Sequence, residues 1–255
     1  MDMEFQGLAR SYEVHVPAGY VGDRPTPLTF VLHGGGGTGA QIRQMTGFDS
    51  VADEMGLIAV YPTGAPTWAN EGSDLQQQGI DEVAFFTELI DRLENLLVVD
   101  ADRVYVTGFS AGGYLSHTLG CRLSNRLAAV GPVAGTLPAA LADECASGTP
   151  ISIIAVHGTE DGSVPFAGDA SRGILSADSS MKTWARRDGC SRTPTTDSLD
   201  TDPATGITIW SDTFVECEDG VTVVLYRLAG DRHRWPTTYF DASRTIARFL
   251  LQQRR

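Results

Sequence analysis

Gly108-Phe109-Ser110-Ala111-Gly112 follows the short apolar run Arg103–Thr107 and precedes a small-residue helical pattern, Ala111–Leu123. G-x-S-x-G between a strand and a helix is the context in which a serine becomes a nucleophile on a sharp turn. Ordinary side chains would collide in such a turn, and Gly108 and Gly112 remove the offending Cβ atoms. Serine alone is a weak nucleophile at neutral pH. It needs a general base, itself oriented by a third group.

With an elbow of this kind the chain order is nucleophile, acid, histidine. Five histidines are available: His15, His33, His117, His157 and His233. His15 lies in the first strand, His33 precedes a glycine run, and His117 sits two turns into the helix behind the serine. His157 comes before any usable acid. His233 falls after the last expected strand and before the final helix, where the base belongs; the alternative is a surface histidine between Arg232 and Arg234. For the acid, the apolar run Ile151–Val156 ends in His157-Gly158-Thr159-Glu160-Asp161. A carboxylate on that loop can reach back to an imidazole. Asp161 is the choice, with Glu160 and Asp169 as competitors. His157 is expected to bond within the loop, and Asp231 to decorate the loop before His233.

Acyl transfer builds negative charge on a carbonyl oxygen, which backbone N–H donors must stabilise. Gly34-Gly35-Gly36-Gly37, after the apolar run Leu28–Leu32, lets the backbone approach a substrate. Ala111 is expected to give one donor and Gly34 or Gly35 the other. No Gly-Lys-Ser/Thr follows the glycines, which argues against a phosphate loop.

The elements around these residues alternate strand and helix, as in a mostly parallel sheet covered on both faces. The expected fold class is α/β, with an antiparallel edge strand, Ser11–Val16, at the N-terminus. Leu57–Tyr61, Ala128–Pro132, Ile207–Val215 and Val221–Leu228 read as further strands, the last two separated by Glu218-Asp219-Gly220. Gln41–Met55, Asp81–Leu97, Ser176–Asp188 and Thr238–Leu251 read as helices. In Asp81–Leu97, apolar residues recur at spacings of three and four. No linker or repeat interrupts residues 1–255, so one domain is expected. A surface excursion lies near residues 191–220, most polar in Ser191–Gly206.

The chain has 255 residues, 42% hydrophobic and 20% charged, with 32 acidic against 19 basic residues and a net charge of −13. No basic stripe exists for nucleic acid or an anionic membrane, and no apolar run reaches membrane length. Met1–Gln6 has neither a basic n-region nor an apolar h-region, so no signal peptide is expected in this segment. Cys121, Cys145, Cys190 and Cys217 show no metal-like spacing. Three pairings are open, the sequential one being simplest, and four buried thiols are the alternative. An even count flanking loop-rich segments favours two disulfides and an oxidising compartment.

These residues resemble the secreted esterases grouped as polyhydroxybutyrate-depolymerase-like and the feruloyl esterases of carbohydrate esterase family one. The likeness lies in Gly7-Leu8-Ala9-Arg10-Ser11-Tyr12 with Val16-Pro17, Leu32-His33-Gly34-Gly35-Gly36-Gly37, Tyr61-Pro62 and Asp81-Glu82-Val83. It continues through Val104–Gly113, Pro132-Val133-Ala134-Gly135, His157–Asp161 with Val164-Pro165, and His233-Arg234-Trp235-Pro236. The resemblance implies an α/β-hydrolase fold, with Ser110, Asp161 and His233 on the family's triad. A similar cysteine pattern implies sequential disulfides and secretion, the signal peptide having been removed. Two departures stand out. Asp231-Arg232 replaces a glycine usual before the histidine, and Thr67-Trp68-Ala69-Asn70 stands where a Trp-Asn pair is expected.

The expected activity is hydrolysis of carboxylic esters through an acyl-enzyme, on feruloyl or acetyl groups of plant cell-wall polysaccharide. No cofactor or metal is expected. Trp68 and Trp235 are candidate pocket residues, whereas Trp184, in an amphipathic helix, reads as core. A polyester depolymerase is the alternative, and exposed aromatics near the site (Trp68, Trp184, Trp235 or Phe166) would favour it. A peptidase of the prolyl-oligopeptidase type would need a gating domain, and a non-catalytic binding module would be expected to lack a triad member. Oligomeric state is open.

Overall fold

The computed structural model describes all 255 residues. The chain opens with a hairpin, β1 (Asp2–Phe5) and β2 (Leu8–His15), closed at Gln6-Gly7, both with positive φ. It continues through β3 (Thr26–Leu32), α1 (Gly39–Thr46), α2 (Phe48–Met55) and β4 (Ile58–Thr63). Next come α3 (Asp74–Gln77), α4 (Glu82–Leu96), β5 (Val99–Phe109), α5 (Ala111–Arg122), β6 (Ala129–Val133), α6 (Ala142–Cys145) and β7 (Ser152–Gly158). The last elements are α7 (Ala177–Arg187), β8 (Thr195–Thr201), β9 (Thr208–Phe214), β10 (Val223–Ala229) and α8 (Ala242–Leu251).

All ten strands form one sheet in the order β1-β2-β4-β3-β5-β6-β7-β10-β9-β8. The central run from β4 to β10 is parallel, and antiparallel strands flank it at both edges. Every residue of β3, β6 and β7 is buried, which is why these strands read as continuous apolar runs rather than alternating ones. Side chains still alternate between faces. Leu28, Phe30, Leu32, Val104 and Val106 join the core under α4, α5 and α7, with Phe86, Leu119 and Trp184. Val31 packs instead with Ile42 and Phe48 of α1 and α2, and Tyr105 with Ile246 and Leu250 of α8. Helices therefore cover both faces.

Three elements differ from the sequence reading. Gln41–Met55 is two helices, because Gly47 adopts φ 58 and serves as the left-handed end of α1. The N-terminal edge is a hairpin rather than one strand. The excursion at Ser191–Gly206 contains β8, an edge strand with every residue exposed, so no apolar alternation announced it.

Cys121 is joined to Cys145 and Cys190 to Cys217, across 24 and 27 residues of chain. Closing loops of that length stabilises a fold by about 3–4 kcal/mol each in the chain-entropy account. The first bridge ties α5 to α6; the second anchors the base of the β8–β9 arm to the end of α7.

Candidate active site

Strand β5 ends at Phe109 and helix α5 begins at Ala111, leaving Ser110 alone between them with φ 55 and ψ −113. A non-glycine residue there is strained by about 1–3 kcal/mol, and such strain persists only where the surroundings enforce it. Here they do. The Ser110 N–H donates to the Val133 carbonyl (2.9 Å), and the Ser110 carbonyl accepts from Tyr114 N–H (3.0 Å). A Cβ on Gly108 would lie 2.4 Å from the Gly112 carbonyl oxygen, and one on Gly112 would lie 2.5 Å from that of Leu32. Both glycines are thus required by close backbone approach.

The glycine loop after β3 comes up against this turn. A Cβ on Gly34 would touch Phe109 at 3.2 Å and the Ser110 Cβ at 3.5 Å. Gly34 and Gly37 close the loop through a backbone hydrogen bond of 3.1 Å, while the N–H groups of Gly34 and Gly35 donate to no protein acceptor. Ala111 is the first residue of α5, so its N–H has no partner within the helix either. Three free donors therefore lie around Ser110 at the positive end of a helix.

His33 and Trp68 hold that loop from behind. Gly64 N–H donates to His33 Nε2 (2.9 Å), so Nδ1 carries the hydrogen and donates to the Gly34 carbonyl (2.7 Å). Burial lowers the His33 pKa, keeping the ring neutral in this tautomer. Trp68 stacks on the ring and donates its indole N–H to the His33 carbonyl at 2.8 Å. The Trp68 loop is anchored in turn by Glu82, which accepts from Ala69 N–H (3.1 Å) and pairs with buried Arg10 (2.8 Å).

Asp161 lies on the loop after β7 with its side chain fully buried. Its Oδ1 accepts from the N–H groups of Ser163 and Val164, both at 2.8 Å. Its Oδ2 accepts from His233 Nδ1 at 2.7 Å and lies 3.4 Å from His157 Nε2. Burial pushes this carboxyl up, but the hydrogen bonds from His157, His233 and Val164 outweigh it and hold it well below the usual carboxylate range. His157 also donates Nε2–H to the Val164 carbonyl at 2.9 Å, the loop role expected of it. Because His233 donates through Nδ1, its neutral ring leaves Nε2 free to accept a proton. Phe109 packs on the imidazole, with ring centroids 4.8 Å apart.

The acid and histidine loops are stitched together by backbone. Glu160 N–H donates to the Asp231 carbonyl (2.8 Å) and Thr159 N–H to that of Leu228 (3.0 Å). Asp231 does more than decorate its loop: its buried carboxylate accepts from the Tyr239 hydroxyl and pairs with Arg234 at 2.8 Å.

Ser110 and His233 line one cleft of about 510 Å³, with the glycine loop, Phe109, and Gln41, Ile42 and Met45 of α1 as its other walls. No carboxylate, lysine or arginine is among them. The α1 wall was not anticipated, since helical periodicity identifies a buried face but not what the opposite rim overlooks. The sequence reading of Trp68 and Trp235 needs correction. They are 1% and 5% exposed, and neither lines the cleft. Trp68 braces His33, and Trp235 donates its indole N–H to Ser243 Oγ (3.0 Å). Trp184 is core as expected, donating to His117 Nδ1 at 2.9 Å. Asn70, beside Trp68, donates to the Ala111 carbonyl at 3.1 Å. No cluster of three His, Cys, Asp or Glu side chains is close enough together to hold a metal ion.

A mostly parallel sheet with a strained serine after a central strand, an acid after a later strand and a histidine after the last parallel one defines an α/β hydrolase. Residues 10–165 match the family described as Esterase PHB depolymerase, and the chain belongs to that family. It is 27% identical over 247 residues to a putative esterase, NocK, of Nocardia uniformis, covering 90% of this chain and 72% of that protein. It is also 27% identical over 235 residues to feruloyl esterase B of Piromyces equi, covering 88% of this chain but only 42% of the relative. Feruloyl esterase D of Neurospora crassa is 30% identical over 169 residues, with 61% of this chain and 54% of that protein covered. Among solved structures, an acetyl xylan esterase from Aspergillus awamori superposes with TM-score 0.72 at 14% identity, covering 94% and 93% of the two chains. Est1E from Butyrivibrio proteoclasticus with ferulic acid bound does so at 0.63 and 15% identity, covering 99% and 98%. At those identities the likeness is one of fold.

Proposed function

We propose that the protein hydrolyses carboxylic esters through an acyl-enzyme on Ser110, with His233 as general base and Asp161 as its orienting acid. The observation that carries this reading is the 2.7 Å bond from His233 Nδ1 to Asp161, in a cleft that His233 shares with Ser110. His233 Nε2 takes the Ser110 proton as Oγ attacks the ester carbonyl carbon. The oxyanion that forms accepts hydrogen bonds from Ala111 and from Gly34 or Gly35, each worth about 3–4 kcal/mol in the transition state. The imidazolium then protonates the departing alkoxide, and the C–O bond breaks. Water, deprotonated by His233, attacks the acyl carbon and releases the acid and free Ser110.

The substrate class is feruloyl or acetyl esters of plant cell-wall polysaccharide, supported by the feruloyl and acetyl xylan esterases among the relatives and structural neighbours. The family match also admits a polyester depolymerase. Burial of Trp68, Trp184 and Trp235 leaves only the partly buried Phe166 of the aromatics on which adsorption to solid polymer would draw. Two disulfides fit a protein secreted into an oxidising compartment. The continuous sheet supports reading residues 1–255 as one catalytic domain.

Turnover of methyl ferulate, p-nitrophenyl acetate and p-nitrophenyl butyrate, with Ser110→Ala as control, tests this function. Serine-dependent hydrolysis of methyl ferulate is expected. Activity confined to the aliphatic esters would remove the feruloyl assignment, and no serine-dependent hydrolysis of any of them would remove the esterase reading.

A further inference from the structure

Large apolar side chains that are exposed are few in this chain, and Met45 is one of them, at 48% exposure. It alone among them lines the cleft that holds Ser110 and His233. The helix end that carries it is anchored. Met45 sits in the last turn of α1, and the next residue, Thr46, has its carbonyl capped by Ser243 Oγ at 2.7 Å. Ser243 Oγ in turn accepts the Trp235 indole N–H at 3.0 Å, two residues beyond His233. This buried chain of bonds joins the end of α1 to the histidine loop. The end of α1 that carries Met45 and the loop that carries His233 therefore adjoin each other where both line the cleft.

The chemistry decides which half of an ester lies there. His233 must give its proton to the departing alkoxide, so the alcohol group leaves along the histidine side of Ser110. Phe109, packed on the His233 ring, and Ile42, beneath Met45 on α1, continue the apolar lining, and no charged side chain interrupts it. A methionine thioether is flexible, polarisable and well suited to aromatic or otherwise apolar faces.

We propose that Met45, with Ile42 and Phe109, forms the alcohol-side subsite of the cleft and selects esters of uncharged alcohols that present an apolar face. Such alcohols include aryl or benzyl groups and neutral sugar rings, whereas cationic and anionic alcohols are disfavoured. This inference rests on the esterase reading above. Failure of that reading would show as absent Ser110-dependent turnover in the unsubstituted protein, before any variant is compared.

The test holds the acyl group constant and varies the alcohol, then does the reverse. Benzyl acetate and acetylcholine are compared in the unsubstituted protein, Met45→Leu and Met45→Asp, alongside p-nitrophenyl acetate and p-nitrophenyl butyrate. Met45→Leu is expected to keep the benzyl preference. Met45→Asp is expected to shift the benzyl acetate to acetylcholine ratio of kcat/KM by about tenfold or more toward the cation. The butyrate to acetate ratio should stay within about twofold, since no acyl contact changes. A changed acyl ratio with a constant alcohol ratio would place Met45 on the acyl side and overturn the assignment. Constancy of both ratios would show that Met45 touches neither half, and would overturn it equally. Met45 is exposed, so both variants are expected to fold, and a far-UV spectrum confirms it.

Discussion

Trp68 lies against the His33 ring with centroids 4.5 Å apart and donates its indole N–H to the His33 carbonyl oxygen at 2.8 Å. The pair stands behind Gly34 and Gly35, whose N–H groups have no protein acceptor and are the donors proposed above for the oxyanion. A backbone donor can stabilise an oxyanion only if it is already in place, so rigidity behind the loop becomes rate at the carbonyl.

Trp68→Phe keeps the stacked ring and most of the volume but deletes the bond to His33. Loss of one buried hydrogen bond of this kind costs about 1–1.5 kcal/mol. Part of that is expected to appear as a kcat on small esters about three- to tenfold lower, with KM little changed. Steady-state kinetics on p-nitrophenyl acetate decide it. A KM increase at constant kcat would assign Trp68 to substrate binding instead.

Asp161 fixes both the orientation and the tautomer of His233. Asp161→Asn is nearly isosteric, yet an amide can present its N–H₂ to Nδ1 and push the ring proton to Nε2. A fall in kcat of about 10⁴-fold is expected. Retention of a tenth or more of the activity in a folded variant would mean that another group, Glu160 the nearest in sequence, serves as the acid.

Two buried groups give stability a pH dependence of opposite sign. His117 is fully buried and its pKa is lowered to about 3, chiefly by desolvation. Its contribution is present above the unfolded value near 6.5 and is lost as pH falls toward 3. Asp188, also buried, has its pKa raised to about 7 by desolvation. Its contribution is present at low pH and is lost as pH rises through 7. His33, whose pKa burial also lowers, acts in the same direction as His117. Between pH 6.5 and 5 Asp188 therefore offsets only one of the two histidines, and chemical denaturation should find stability falling gently on acidification in the unsubstituted protein. Asp188→Asn removes one side of the balance. That variant should fall in stability more steeply than the unsubstituted protein on acidification across the window, by up to about 1.4 kcal/mol per pH unit. A slope equal to the unsubstituted protein's would contradict a buried Asp188 that is protonated in the folded state.

The Cys190–Cys217 bridge anchors the base of the β8–β9 arm, far along the sheet from β5. Replacing both cysteines with serine is expected to cost about 3 kcal/mol in denaturant unfolding. Because the arm contributes nothing to the cleft, kcat/KM at 25 °C, a temperature well below unfolding, should change less than about twofold. A large activity loss in a folded variant would mean that the arm couples to the site.

Much of this arrangement was legible in sequence because its causes are local. Leu28–Leu32 and Ile151–Val156 read as buried strands from continuous apolar runs, and both are buried throughout. Glycines at positions 108 and 112 marked the turn because only backbone fits there. Residues whose meaning depends on distant neighbours were harder. Apolar spacing runs smoothly across Ile42, Phe48 and Val51, so nothing but Gly47 itself marked the break between α1 and α2. Strand β8 has no buried residue and is held by its pairing with β9. The loop positions of Trp68 and Trp235 suggest pocket residues, whereas each indole N–H finds an acceptor inside the protein. Met45 belongs to the cleft only because α8 and the histidine loop lean against the end of α1.

The central claim is that Ser110 carries the acyl group, and covalent capture tests it most directly. The protein is treated with diethyl p-nitrophenyl phosphate, which transfers a stable phosphoryl group to an activated serine, and is then weighed intact and mapped by peptide. The account predicts one adduct per chain on the peptide containing Ser110, with loss of esterase activity in step and no adduct in Ser110→Ala. Labelling of another residue, or full esterase turnover by Ser110→Ala, would contradict it.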